Sequence, residues 1–151
     1  MSASLSTTYP MNRNFLAYVA VAFSMLLLDL IWLGVVARPM YAAGIGHLMA
    51  DKPNWAAAGL FYVVYALGLL WFAVRPFDTA AGWQTPLLTA AAFGFFAYAT
   101  YDLSNLATLK GWPWRIAIAD MAWGSLASAL AAGAGRWVWL HGAAATTQAS
   151  T

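Results

Sequence analysis

The chain has 151 residues, of which 63% are hydrophobic and only 8% charged. Soluble domains carry about a quarter of their residues as charges, so this composition excludes an ordinary water-soluble fold and places the chain among membrane proteins. It has no cysteine, which rules out disulfides and thiolate chemistry, and its net charge of +2 is too small and too scattered to bind nucleic acid.

The first twelve residues, MSASLSTTYPMN, are small and polar and read as a disordered extension, with Met11 as an alternative beginning. The first apolar run, 15–37, is interrupted only by Asp29 and is long enough for the roughly 20 residues that cross a bilayer. Its length, and the Arg38-Pro39 that follows it, argue against a cleaved signal peptide. A loop over 38–54 then carries Pro39, Gly44, Gly46 and Pro53, with a short interfacial helix expected within AGIGHLMAD.

The second span, 55–74, has no charged residue. The third, 86–110, opens with Pro86, whose missing N–H costs nothing in a first helical turn. Gly111 is placed to take the left-handed conformation after it, with Lys110 set against the helix dipole. Pro113 opens the fourth span, 113–139, and residues 141–151 read as a disordered tail. The expected fold is thus all-α: an integral membrane four-helix bundle over 13–140, with antiparallel neighbouring spans and both termini on the same side. Arg38, Lys52, Lys110 and Arg115 fall at one end of that bundle and Arg13, Arg75 and Arg136 at the other, a division too even to orient it.

All five acidic residues are aspartates. At 1.5 Å of rise per residue, Asp29, Asp102 and Asp120 lie about 13, 12 and 8 Å inside the same half of the bundle. Acids at such depth must face the interior and find partners. Tyr98 and Asn105 share a helix face with Asp102, as Tyr101 does with Asn105. Tyr62 and Tyr65 can approach from the second span. Trp32 and Trp123 each follow an aspartate by three residues, whereas most of the other tryptophans, Trp112 among them, fall at span ends as in an aromatic belt. Small residues recur every fourth position along Gly124, Ser128 and Ala132, a spacing that lets helices approach closely.

These residues predict a polar pocket that binds or transports a small cationic or polar solute, or protons. The same three acids could instead serve as interhelical hydrogen-bonding glue. No metal site is expected; His47 is the weak candidate. No cofactor can be named, and no catalytic set emerges, so the balance lies against an enzyme. Two other functions stay open: an accessory protein or enzyme of membrane-lipid modification, and an assembly partner of a membrane complex. The bilayer is the expected environment, with a homodimer or larger membrane complex as a further possibility and no nucleic acid.

LDLIWLG, PNWAAAGLFYVVYALGL, FAYATYDLSNLATLKGWP and DMAWG together resemble small bacterial membrane proteins grouped as domain of unknown function 2177. The resemblance covers residues 11–140. It implies a four-helix protein of the bacterial inner membrane, and a tendency to be encoded near enzymes that modify membrane fatty acids. It carries over no catalytic residue.

Overall fold

A computed structural model describes residues 13–77 and 80–148. Helix α1 spans Arg13–Ile31 and continues as a wider π-turn, Trp32–Val36. Helix α2 spans Arg38–Ile45, followed by a 3-10 turn, Gly46–Leu48. Helix α3, Trp55–Leu69, also ends in a π-turn, Leu70–Val74. Helices α4, Gln84–Thr108, and α5, Trp114–Gln148, complete an all-helical chain with no strand among the described residues.

The two π-turns have one local cause. Each precedes an Arg-Pro pair, Arg38-Pro39 and Arg75-Pro76. Proline offers no N–H to the carbonyl four residues back, and the helix winds wider just ahead of it. The Ala37 N–H reaches Trp32 O at 2.7 Å, and the Arg75 N–H reaches Leu70 O at 2.9 Å. At the start of α3, the Asn54 side chain accepts the Ala57 N–H at 3.1 Å, a side-chain cap on a helix that otherwise lacks one.

Three sequence expectations change. The short helix begins at Arg38, not within AGIGHLMAD, because Pro39 sits in its first turn instead of breaking it. Helix α4 stops at Thr108, and Leu109 is already extended. Lys110 therefore lies beyond the last turn and does not complement the dipole, while Gly111 takes φ +78° as its composition allows. The tail expected to be loose from residue 141 is helical as far as Gln148. The expected N-terminal extension, 1–12, lies outside the described residues.

Helices Arg13–Val36, Trp55–Val74 and Trp114–His141 are long and apolar enough to cross a membrane. Helix α4 has the length, but threonines, tyrosines, Asp102 and Asn105 lower its hydropathy below that of the other three. Phe15, Phe23, Val64, Leu88 and Phe96 stand exposed on the outer faces, the arrangement expected of helices whose solvent is hydrocarbon.

Helix α5 is central. It packs most extensively along α4 and next along α1, while α3 leans on α1. Toward α4 it presents Gly124 and Ser128, which lie directly against Gly94. Toward α1 it presents Gly135, which lies against Ala17 and Val21. Ala127, Ala131 and Ala132 fill the seams between these contacts and are buried. At the far end of α5, buried Arg136 donates to the carbonyls of Phe77 and Ala81 in the segment that follows α3.

A Cβ on Gly94 would collide with the Gly124 carbonyl and the Ser128 hydroxyl, backbone and side chain of a helix that cannot retreat. Gly94→Ala should lower stability by about 1–3 kcal/mol, as overpacking typically does. Gly59→Ala, with open space around its Cβ position, should hold or raise it. Thermal unfolding of the two variants in maltoside micelles compares them directly.

Candidate functional site

Asp29, Asp102 and Asp120 come from three helices, and each is buried. All three take their hydrogen bonds from neutral donors. Asp29 accepts the Trp123 indole N–H on Oδ1 at 2.9 Å and the Tyr62 hydroxyl on Oδ2 at 3.2 Å. Asp120 accepts the Tyr41 hydroxyl on Oδ1. Asp102 accepts the Trp112 indole N–H on Oδ1 at 3.3 Å, and its Oδ2 is buried without a hydrogen bond. No lysine or arginine meets any of the three among the described residues.

The two Asp-x-x-Trp segments cross. Trp32 of the α1 segment and Trp123 of the α5 segment stack face to face, with centroids 4.5 Å apart and planes 4° from parallel. Trp123 donates to Asp29, the aspartate of the other segment. Trp32 returns the arrangement: its N–H lies 3.4 Å from the Tyr41 hydroxyl, which itself donates to Asp120. A helix places residues i and i+3 on one face. Each segment therefore presents an acid and an indole together, and pairing the segments brings each indole to the opposite acid.

Tyr41 reaches this clasp because α2 folds back over the start of α5. Gly44 lies against Ile116 and Pro113, where a Cβ would come within 2.8 Å of the Ile116 side chain. Burial first, and then Asp120 itself, raise the Tyr41 phenol pKa above its ordinary value of 10. Tyr41 therefore remains a neutral donor throughout the physiological range.

Beside the clasp lies a cavity of about 500 Å³. Asp29, Trp32, Trp123, Tyr62, Tyr65, Tyr98 and Tyr101, all singled out in the sequence, are on its wall. Three others are not. Asp120 stands behind Tyr41. Asp102 lies toward the α4–α5 turn with Trp112, and Asn105 pairs with the Tyr101 hydroxyl. No hydrogen bond joins Tyr98 or Asn105 to Asp102 among the described residues. Tyr98 packs instead on Gly124 and edge-on to Tyr65 at 6.3 Å, and the Tyr65 hydroxyl shares a 2.8 Å hydrogen bond with Ser128. His47 is exposed on its turn, and no group of three potential metal-binding side chains converges among the described residues.

The chain belongs to the family described as Predicted membrane protein (DUF2177). The match covers residues 14–137, which contain every residue of the clasp and the cavity wall. No curated protein and no solved structure matches the chain. Membership makes the protein a membrane protein by family as well as by composition.

Sequence reading missed Tyr41, Trp112, and the cavity residues Leu33, Ala58, Phe61 and Ala97. One signal could have found the first two. Acids buried without basic partners require N–H or O–H donors, and the only aromatic residue of the 38–45 segment is Tyr41. Trp112 is 9% exposed, too buried for a belt residue.

Tyr41→Phe keeps the ring and removes the donor of Asp120, leaving a buried carboxylate short of a partner. The expected loss is about 1–3 kcal/mol at pH 7, read by thermal unfolding. The raised phenol pKa means that the folded state holds this proton more tightly than the unfolded chain does. Its contribution is complete below about pH 10 and is lost as pH climbs beyond it. The wild type should thus lose stability at alkaline pH more steeply than Tyr41→Phe.

Proposed function

We propose that this is a multi-pass protein with four antiparallel membrane helices and both chain ends on one face, and that it binds a small organic cation in the aromatic cavity with Asp29 as counter-charge. The topology is supported by residue pairs that run in opposite senses along the helices. Arg13 sits over the Trp139 ring at 4.1 Å, Ala17 meets Gly135, and Asp29 meets Trp123. Leu87 lies near Gly133, and Gly94 against Gly124. The polar residues of α4 that lower its hydropathy include Tyr98, Tyr101 and Asp102, which sit in or beside the site and give this span its reason for being less apolar. The bacterial inner membrane is the location implied by the resemblance seen in the sequence.

The observation that carries the binding reading is the cavity itself. Its acidic wall group is a buried carboxylate with hydrogen bonds from neutral donors and no basic residue beside it. Removing a carboxylate from water without an opposite charge is expensive. A cation in the chamber repays that cost at close range, where the surrounding medium screens poorly. The faces of Trp and Tyr rings favour the same sign of charge. A proton would also neutralise Asp29, but a proton needs no chamber of about 500 Å³.

Thermal unfolding in maltoside, with a panel of organic cations as chloride salts against sodium chloride of equal ionic strength, tests this reading. A ligand present at 100 times its Kd should stabilise the protein by about 2.7 kcal/mol. Asp29→Asn should erase that shift, and Asp102→Asn, away from the cavity wall, should retain it. The reading fails if no cation shifts the wild type, or if Asp29→Asn responds as fully as the wild type.

A further inference from the structure

The polar groups of the cavity wall are largely held in hydrogen bonds, to one another or to residues behind the wall. Each oxygen of Asp29 already receives a donor, from Trp123 at 2.9 Å and from Tyr62 at 3.2 Å, and the residue is only 3% exposed. The Tyr65 hydroxyl is engaged with Ser128. The Tyr41 hydroxyl donates to Asp120 and lies 3.4 Å from the Trp32 N–H. The Tyr101 hydroxyl meets Asn105. Among the described lining residues, the Tyr98 hydroxyl is the side-chain oxygen without a hydrogen bond, and the others keep only the lone pairs their present partners leave.

A primary ammonium carries three N–H donors and a guanidinium five. Either would give up its hydration on entering and recover acceptors that, Tyr98 apart, are oxygens already held in other hydrogen bonds. A bare metal ion, which needs several oxygen ligands, would fare worse. What the wall offers instead is aromatic rings, from Trp32, Trp123, Tyr62, Tyr65 and Phe61, and the Asp29 carboxylate acting through space. A tetraalkylammonium group has no N–H to satisfy, spreads its charge over methyl groups, and is bound well by aromatic faces.

We propose that the cavity selects a quaternary ammonium group over primary ammonium, guanidinium and metal cations. This rests on the cation-binding reading and narrows it to a ligand class. The group could arrive on free choline or on a lipid headgroup. Leu33 and Phe61, on the cavity wall, are both exposed, so a lipid headgroup arriving from the bilayer is as open a source as a free solute.

Isothermal titration of protein purified in maltoside, free of choline-based detergent, would compare choline with ethanolamine, which differ by three N-methyl groups. Two further arms would compare short-chain phosphocholine with phosphoethanolamine lipids. Choline or its lipid should bind at least about tenfold tighter than the corresponding amine. Binding by the lipid alone assigns the source to a headgroup, and binding by free choline alone assigns it to a soluble solute; both support the inference. Tyr62→Phe keeps the ring but bares Asp29 Oδ2 as an acceptor, so the margin over ethanolamine should narrow. Ethanolamine binding as well as choline, or an unchanged margin in Tyr62→Phe, overturns the quaternary selectivity and leaves the cation site standing. Wild-type protein that binds none of these cations, nor any other in the thermal panel, removes the cation site as well.

Discussion

The rest of the site depends on two indole rings lying face to face between α1 and α5. The Trp32–Trp123 stack contributes about 0.5–1.5 kcal/mol beyond its buried area, but its geometric effect is larger. With the rings in contact, each N–H can point only along the plane of the stack, outward toward the acid of the opposite helix. The stack works together with Gly135 against Ala17 and Val21, which brings α1 close to α5, and Gly44 against Ile116 and Pro113, which seats α2; the indoles then supply the donors to Asp29 and to Tyr41. Lipid offers little hydrophobic drive for helices to associate. Directional contacts of this kind therefore carry weight that a water-soluble fold would assign to its core.

Tryptophan and tyrosine are consequential partners for buried acids because they satisfy without neutralising. A lysine or arginine would have cancelled the charge of each aspartate, at a desolvation cost of its own. An indole or phenol donor lowers the cost of burial and leaves the negative charge in place. On the proposed reading, Asp29 is the group that attracts a cation into the cavity. Asp102 is the most demanding of the three: one N–H at 3.3 Å, and a second oxygen with no hydrogen bond among the described residues. Its partner Trp112 is carried by the turn that Gly111 makes possible, so the shape of the α4–α5 connection is tied to the placement of that acid.

Much of this was legible in the sequence, and the failures have physical causes. Apolar runs of spanning length located the long helices, because in lipid the backbone has no alternative to internal hydrogen bonding. Seven of the ten residues singled out are on the cavity wall, but of the three aspartates whose matched depths predicted a shared pocket only Asp29 is among them. The small-residue seam read from Gly124 and Ser128 is the face that meets Gly94. The crossing of the two Asp-x-x-Trp segments was not legible. Spacing reports which residues share a helix face, not which face meets which. The Pro39 error came from reading proline as a breaker where it opens a turn, and the loss of Tyr41 followed from it, since a loop residue has no direction. Trp112 was hidden by its place at a helix end, where belt and interior residues look alike.

The cavity is the product of two opposite ways of packing helices. Between α4 and α5, Gly94 against Gly124 and Ser128 brings the backbones into contact and leaves no room for anything else. On the α3 side the chain does the reverse. Tyr65 lies edge-on to Phe93 and to Tyr98, and Phe61 packs on Tyr62 and Tyr65, so rings stand between α3 and its neighbours and α3 itself barely approaches α4. A helix propped away by rings, opposite a seam closed by glycine, leaves a cavity whose wall is largely aromatic. Asp29 then enters that chamber from α1 as the one acid on its wall, held there by Tyr62 from the propped helix and Trp123 from the closed seam. Movement of α3 relative to α5 would pull on both oxygens of that carboxylate at once.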